Sequence, residues 1–240
     1  MFFTIFTENA TKMKGLQHLF NLFYPDTCVC CDQYLLDQEK IICIECRLDL
    51  PFIETGNSTY NPLLETLKGK VIIEEGTSFL YYHPEGKVKK LIHQLKYKNN
   101  QKVGIFLGEW LGQKLLETKA YNSIDYIIPV PLHKDKLRLR GYNQLTKFGE
   151  TLSSILNIKY LEGVLIRNTM AKTQTLKKRL DRFKSLVNNF SLINANLLKN
   201  KHVLLIDDVV TTGATLEACC KELLKIEGMK ISIVTIALTE

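Results

Sequence analysis

Residues 203–215 read VLLIDDVVTTGAT. The four apolar residues that open this stretch predict a short buried strand, and the helical spacing of Leu216, Cys220 and Leu223 after it predicts a helix. Between the two lie a pair of acids and a turn rich in threonine and glycine. This order is typical of an open α/β sheet, which binds its ligands at the carboxyl ends of its strands. The stretch therefore predicts an α/β fold with a ligand site at this turn.

The turn has the composition of a phosphate-binding site. Gly213 and Ala214 stand where the predicted helix starts, so a phosphate could approach the backbone N–H groups and the positive end of the helix dipole. Hydroxyl donors are supplied by three threonines, Thr211, Thr212 and Thr215. Asp207 and Asp208 only accept hydrogen bonds, which suits the diol of an adjoining ribose or a hydrated Mg²⁺ ion. We therefore expect this site to bind a sugar phosphate.

The structural alternative is an ordinary turn between a strand and a helix, capped by an Asp or Thr side chain. Two other phosphate loops are excluded. No Lys follows the glycine as it does in a Walker loop, and the glycine spacing differs from that of a dinucleotide-binding fingerprint. The whole stretch resembles the phosphoribosyl pyrophosphate (PRPP) binding motif of type I phosphoribosyltransferases.

The length and composition favour one main domain with a small additional module. The chain has 240 residues, of which 45% are hydrophobic, enough to bury a core of ordinary size. It contains no apolar run of about 18 residues, so we expect no membrane span. The first eight residues are too short and too acidic at their end for a secretory signal, and we expect a cytoplasmic protein.

The basic residues are concentrated in three segments, 87–102, 131–147 and 167–184. Together these segments hold 18 of the 32 Lys and Arg residues but only two of the 25 acids. Such segregation favours a polyanionic partner or a ligand that carries pyrophosphate, and solvated surface lysines are the alternative.

The N-terminal part of the chain predicts a separate module. Apolar residues at helical spacing within residues 14–24 predict a short amphipathic helix that ends before Pro25. Residues 54–70 are rich in turn-forming residues and are expected to link the module to the main domain. We expect the module to span residues 1–60 and the main domain residues 61–240.

Two Cys-x-x-Cys pairs lie in this module and predict a metal site. The four expected ligands are Cys28, Cys31, Cys43 and Cys46. Two such pairs can hold one tetrahedral Zn²⁺ ion, and a site filled by four thiolates is structural. Disulfides are the competing use of these cysteines but are disfavoured in a cytosolic protein. Cys30 is interpreted as a non-ligand, and a role of the zinc ribbon in nucleic-acid binding stays open.

The remaining chain alternates between strand and helix patterns. Strands are predicted at Phe79–Tyr82, Tyr126–Val130, Phe190–Ile193, Val203–Ile206 and Ile231–Leu238. Amphipathic helices are predicted over residues 88–95, 107–115 and 145–155. This alternation predicts a mostly parallel sheet with helices on both faces.

Each of the three basic segments has its own functional interpretation. The loop after Val130 carries Arg138 and Arg140, which could form paired hydrogen bonds with a pyrophosphate, although an exposed basic turn is the alternative. The polar stretch 167–182 has the length of a lid or of a nucleic-acid contact. The helix within 87–102 combines lysines with Tyr97, as a surface that stacks single-stranded bases does, although core packing of the tyrosine is the alternative.

The chain resembles the competence protein ComF family over nearly its whole length. The runs that carry the resemblance are Phe23-Tyr24-Pro25 with Cys28-x-x-Cys31, residues 91–98, residues 129–144, residues 169–174 with Arg182, and residues 203–215. Lys134-Asp135-Lys136 departs from the family pattern, which commonly has an Arg before its Leu-Arg-x-Arg run.

The resemblance implies a zinc ribbon followed by a type I phosphoribosyltransferase-like domain that binds PRPP with Mg²⁺. It also implies a cytosolic role in natural transformation, where incoming single-stranded DNA is handled with a competence helicase. Asp207 and Asp208 would hold the ribose diol, the turn from Thr211 to Thr215 the 5-phosphate, and Arg138 and Arg140 the pyrophosphate. Two alternatives stay open: an active phosphoribosyltransferase whose acceptor is unknown, and a non-catalytic adaptor that senses PRPP.

Overall fold

The computed structural model describes residues 25–54, 60–98, 100–168 and 190–240. The chain forms two compact units, and the boundary between them in the sequence lies between Asp49 and Leu50. The helix predicted at residues 14–24 and most of the polar stretch 167–182 lie outside the described residues.

The first unit is organised around its cysteines. Its described part contains one short helix, α1 (Ile44–Leu48), and two isolated antiparallel bridges. The carboxylate of Glu39 accepts hydrogen bonds from the N–H groups of Leu36 (2.8 Å) and Ile44 (2.7 Å) and so holds the loop against the start of α1. Apart from the cysteines, Ile42 is the buried apolar side chain of residues 25–49, so this part has almost no hydrophobic core.

The second unit contains a five-stranded parallel sheet and a separate antiparallel pair. In chain order the strands are β1 (Gly76–Tyr82), β2 (Tyr126–Pro129), β3 (Lys159–Tyr160), β4 (Leu165–Arg167), β5 (Phe190–Leu192), β6 (His202–Val210) and β7 (Lys230–Thr239). The order across the parallel sheet is β1-β7-β6-β2-β3, and β4 pairs with β5. The mostly parallel α/β sheet predicted from the sequence is confirmed.

Six helices of this unit are described. They are α2 (Pro62–Leu67), α3 (Lys87–Tyr97), α4 (Gln101–Leu116), α5 (Lys134–Arg140), α6 (Thr146–Leu156) and α7 (Ala214–Leu223). The three amphipathic helices predicted upstream correspond to α3, α4 and α6, and the helix predicted after the threonine turn is α7. Gly104, Gly108 and Gly112 line α4 at four-residue spacing and allow α6 to approach closely, since a Cβ on Gly108 would lie 2.9 Å from Thr151 Cβ.

The direction of the connections explains why helices cover both faces of the sheet. The chain moves one way across the sheet from β2 through α6 to β3, and the opposite way from β6 through α7 to β7. Because such crossovers are right-handed, α6 and α7 lie on opposite faces. The direction changes between β2 and β6, and a crevice at such a switch point is where open α/β sheets bind ligands.

Two local predictions were wrong, and one predicted strand is present but lies outside the parallel sheet. Residues 62–67, expected to be part of a linker, form α2, because the side chain of Asn61 caps the N–H groups of Leu63 and Leu64 and Pro62 occupies the first helical position. The strand at Phe190 belongs to the antiparallel pair and not to the parallel sheet. The loop after Val130 contains helix α5, which ends at Gly141 in the left-handed conformation (φ +76°).

The central strand β6 is also longer than the predicted segment Val203–Ile206. Its pairing with β2 ends where Pro129 lies opposite Ile206, but its pairing with β7 continues through Asp207 to Val210. Both acids are therefore part of the strand, and among the described residues the edge of β6 that faces β2 has no strand partner along this last part.

Candidate functional site

The two acids of β6 point to opposite faces of the sheet, because successive side chains alternate along a strand. Asp208 contacts Lys96 of α3 and Gln144, which precedes α6, so it lies on the face that α3 and α6 cover. Asp207 points to the other face, which α7 covers, and its charge raises the pKa of Cys219 in α7, although burial is the larger cause. The open end of β6 thus presents one carboxylate to each face.

Asp208 is buried, but both of its oxygens have partners. The ammonium of Lys96 lies 2.8 Å from Oδ1, and the side-chain amide of Gln144 donates a hydrogen bond of 2.7 Å to Oδ2. A buried charge without such partners would be strongly destabilising. Lys96 and Gln144 therefore allow an ionised carboxylate to persist at this position.

Asp207 is buried as well, but its environment disfavours its charge. Its Oδ1 accepts a hydrogen bond of 2.8 Å from the N–H of Asp208. Burial, and then the charge of Asp208, raise the pKa of Asp207 well above its usual range, and the N–H of Asp208, Lys96 and Arg167 oppose this only in part. Burial next to Asp208 thus favours the neutral form of Asp207.

The threonine turn follows the acids directly and leads into α7. Gly213 adopts the left-handed conformation (φ +74°), and a Cβ at this position would lie 2.9 Å from Leu67 Cδ2, so both the backbone and the packing require glycine. Thr211 and Thr212 are exposed and Thr215 is half-buried. The turn therefore presents hydroxyl and N–H groups at the start of a helix, as a phosphate site needs.

A lysine fixes the position of this turn. The ammonium of Lys70 donates to the carbonyl oxygen of Thr66 (2.7 Å) and to that of Thr212 (2.8 Å). Lys70 follows α2 closely, so this contact ties the phosphate turn to α2, against which Gly213 also packs.

The two arginines after β2 differ in their relation to the acids. Arg140 donates a hydrogen bond of 2.7 Å to Oε1 of Gln144, which in turn contacts Asp208, and its guanidinium carbon lies 5.0 Å from the centre of the Tyr97 ring. Arg138 lies two residues earlier in α5, on a different side of this helix, and is exposed. Of these two arginines, Arg140 is thus the one that hydrogen bonds connect to Asp208, through Gln144.

The sequence did not reveal Lys70 and Lys96 as site residues. Lys96 has the same spacing as the other lysines of an amphipathic helix, and Lys70 falls in a segment that resembles a linker. Neither position carries a local signal, because both lysines reach the site only through the fold. Gln144 ends the run 129–144 that carries the family resemblance, and the structure shows it bound to Asp208.

The first unit contains a cluster of thiols that could hold a metal ion. The Sγ atoms of the four predicted ligands lie within 4.8 Å of one another, and those of Cys31 and Cys43 are 3.7 Å apart. Burial alone would raise the pKa of Cys28, but the N–H groups of Cys43, Cys30 and Cys31 lower it to about 7. Cys30 is buried, but its sulfur is not part of the cluster, as predicted.

Within the described residues, no helix is long and apolar enough to cross a membrane.

Comparison with known proteins places these features in a family context. A model of the phosphoribosyl transferase domain matches residues 148–239. Competence protein F of Haemophilus influenzae is 33% identical over 147 residues, which cover 60% of this chain and 64% of that protein. The DNA utilization protein YhgH of Escherichia coli O6:H1 is 30% identical over 138 residues, which cover 56% of this chain and 60% of that protein.

Among solved structures, the glutamine PRPP amidotransferase of B. subtilis, complexed with ADP and GMP, gives a TM-score of 0.40 with 17% identity, over 59% of this chain and 30% of that one.

The chain spans less than two thirds of the length of these two curated relatives, 64% and 60%. The domain match runs from α6 to the end of β7 and includes the acid pair and the whole threonine turn. The chain is thus similar, over part of its length, to proteins named for competence and DNA utilization, and residues 148–239 match the phosphoribosyl transferase domain.

Proposed function

We propose that the second unit binds PRPP, or another ribose 5-phosphate, and that the protein acts in the cytoplasm in DNA uptake. The observation that carries this proposal is the position of the acid pair and the threonine turn at the switch point of the sheet. The turn offers N–H and hydroxyl groups for the 5-phosphate. The two carboxylates lie directly before the turn, at the end of β6, where they could bind the ribose diol of the same ligand.

Mg²⁺ fits this site through its preference for carboxylate oxygens. The carboxylate of Asp208 contacts Lys96 and Gln144, so a ribose diol or a hydrated ion would exchange with one of these partners. When bound, Mg²⁺ would neutralise the pyrophosphate that leaves C1 of the ribose in a transfer reaction. Arg140, which is held by Gln144, would stabilise the same pyrophosphate. Binding of PRPP is common to an active transferase and to a sensing adaptor.

Ribose-phosphate binding is tested by calorimetric titration of PRPP with Mg²⁺ into the wild type and into Asp208→Asn. We expect the variant to lose at least tenfold in affinity, because an amide replaces an ionic acceptor of the diol. Glu227→Gln is a matched control, since it removes one acid from an exposed ion pair with Lys199 and should bind as the wild type does. Equal affinity in the wild type and Asp208→Asn would exclude the proposed role of the acid.

Burial of Asp207, whose pKa is raised, lowers the stability of the folded protein. The folded protein binds a proton at Asp207 more tightly than the unfolded chain does, so this group destabilises the fold as pH rises above the ordinary carboxyl pKa of about 4. Asp207→Asn, which does not titrate, should therefore raise the melting temperature, and the gain should be larger at pH 8 than at pH 5.

The comparison with Asp208→Asn makes this prediction specific. That substitution breaks an ion pair and should lower the melting temperature at both pH values. If Asp207→Asn does not raise the melting temperature, or raises it equally at pH 5 and pH 8, the proposed cost of burying this acid is contradicted.

A second candidate function, binding of single-stranded DNA, is favoured by the surface of α3. Tyr97 is 61% exposed although it is aromatic, and His93 lies one turn away with its ring centre 5.1 Å from that of Tyr97. Lys89 and Lys90 are exposed on the same helix, and Lys98, which caps its C-terminal end, is exposed as well. Exposed aromatic rings among cations can stack bases while the lysines contact phosphates. Incoming DNA would be handed over here with a competence helicase as the partner.

We expect fluorescence anisotropy with a labelled oligo(dT) to show binding that weakens steeply with salt, and Tyr97→Ala to weaken it about tenfold through loss of stacking. Tyr60→Ala is the control, because Tyr60 belongs to the same unit and is similarly exposed, at 59%. If wild type and Tyr97→Ala bind alike, α3 does not stack the strand. A protein that binds PRPP but no oligonucleotide would instead be a sensor or an enzyme.

We further propose that the thiol cluster of the first unit binds one structural Zn²⁺ ion. Zn–S bonds of about 2.3 Å place the sulfurs of a tetrahedral site roughly 3.8 Å apart, and the separation of 3.7 Å between Cys31 and Cys43 agrees with this. The ion would replace the missing hydrophobic core of this unit.

Metal analysis by mass spectrometry should find one Zn²⁺ per wild-type chain and none in Cys43→Ser, which removes a ligand. Cys30→Ser is the matched control, because Cys30 is a buried cysteine of the same unit outside the cluster, and this variant should keep its zinc. Zinc retained in Cys43→Ser, or lost in Cys30→Ser, would refute this ligand assignment.

A further inference from the structure

Lys70 makes an unusual contact with the phosphate turn. Its ammonium bridges two carbonyl oxygens, those of Thr66 and Thr212, at 2.7 Å and 2.8 Å. Thr212 and Lys70 are 142 residues apart in the sequence, so the fold brings a cation to the turn from a distant segment. Because Thr212 lies inside the turn, the charged group is within hydrogen-bond distance of the turn backbone itself.

The partners of Lys70 distinguish it from neighbouring lysines. Lys68 pairs with Glu65 and Lys221 pairs with Glu217, so these two charges are compensated by carboxylates. Both contacts of Lys70 are to neutral carbonyl groups. An ammonium has three N–H donors, and two are used here. Among the described residues Lys70 has no carboxylate partner, so one donor and the positive charge are available to an anion.

The turn needs such a charge if it is to bind a phosphate monoester. The phosphate is nearly dianionic at neutral pH, whereas the start of a helix contributes only about half an elementary charge. Asp208 adds a negative charge close by, and Lys96 is already engaged in compensating it. A full cation at the turn would offset the second charge of the phosphate.

We propose that Lys70 is a phosphate-binding residue of the threonine turn, where its ammonium donates to the 5-phosphate of a bound ribose phosphate. This inference rests on the proposed function of the turn. It adds to the backbone and hydroxyl donors a charged side chain that arrives from the segment after α2. The contact with Thr212 also holds the ammonium in place before the ligand binds, so little side-chain freedom is lost on binding.

The test compares ribose 5-phosphate with Mg²⁺ pyrophosphate as calorimetric ligands for the full-length wild type and for Lys70→Met. We expect the variant to bind ribose 5-phosphate about tenfold more weakly, because a charge-assisted hydrogen bond is lost. Its affinity for pyrophosphate, which would bind at the other end of the site, should stay within twofold of the wild type. Lys70→Arg should restore most of the affinity, and Lys68→Met, which removes the neighbouring exposed lysine, should bind as the wild type does.

A pH series separates charge recognition from a purely structural effect. The second ionisation of a phosphate monoester has a pKa of about 6. The wild type should therefore gain affinity for ribose 5-phosphate between pH 5 and pH 7.5, and Lys70→Met should lose most of this gain. A variant weakened equally at all pH values, or for both ligands, would show that Lys70 only holds the turn and would overturn the proposal.

Two further outcomes are distinguishable. If the wild type binds no ribose 5-phosphate, the proposed function of the turn fails, and with it the ligand of Lys70. If the wild type binds and Lys70→Met binds equally well, the proposed function stands and the role of Lys70 is refuted.

Discussion

Strand β6 stays hydrogen-bonded to β7 for four residues after its pairing with β2 has ended. The pairing with β2 ends early because the chain after β2 leaves the sheet at Pro131 and then forms α5, whereas β7 continues to Thr239. At Asp207 and Asp208, one backbone edge of β6 is therefore hydrogen-bonded to β7, and the other edge faces the crevice at the switch point. The threonine turn inherits its position from the same strand, so the geometry of the whole candidate site follows from this one register.

Placing two acids side by side in a buried strand creates an electrostatic problem, and the two residues solve it differently. The carboxylate of Asp208 contacts the ammonium of Lys96 and the amide of Gln144. Asp207 receives only the N–H of Asp208, and its pKa rises because it is buried next to a charge. Natural cores rarely contain such a residue unless binding or catalysis requires it. The same reasoning applies to the turn, where the exposed Thr211 and Thr212 contribute little to the core.

The sequence predicted those parts of the fold and site that have a local signal. A buried strand followed by Gly213 and a helical repeat can be recognised within about fifteen residues of sequence. Each Cys-x-x-Cys pair is an equally local pattern. Strands β3 and β4 have only two and three residues, so neither is long enough to show a period in the sequence. Lys70 and Lys96 were missed for a related reason. A lysine on an amphipathic helix or in a turn has the same local pattern whether it faces solvent or a buried acid.

Arg140 connects the two candidate surfaces of the second unit. Its guanidinium lies over the ring of Tyr97 and donates to Gln144, which in turn donates to Asp208. A pyrophosphate that attracted Arg140 would also change what covers Tyr97, so ribose-phosphate binding and strand binding share this side chain. Substitution of Arg140 would therefore disturb both functions at once and could not separate them. Tyr97 and Asp208 stand at the two ends of this chain of contacts, and only substitutions at the ends can show whether one function depends on the other.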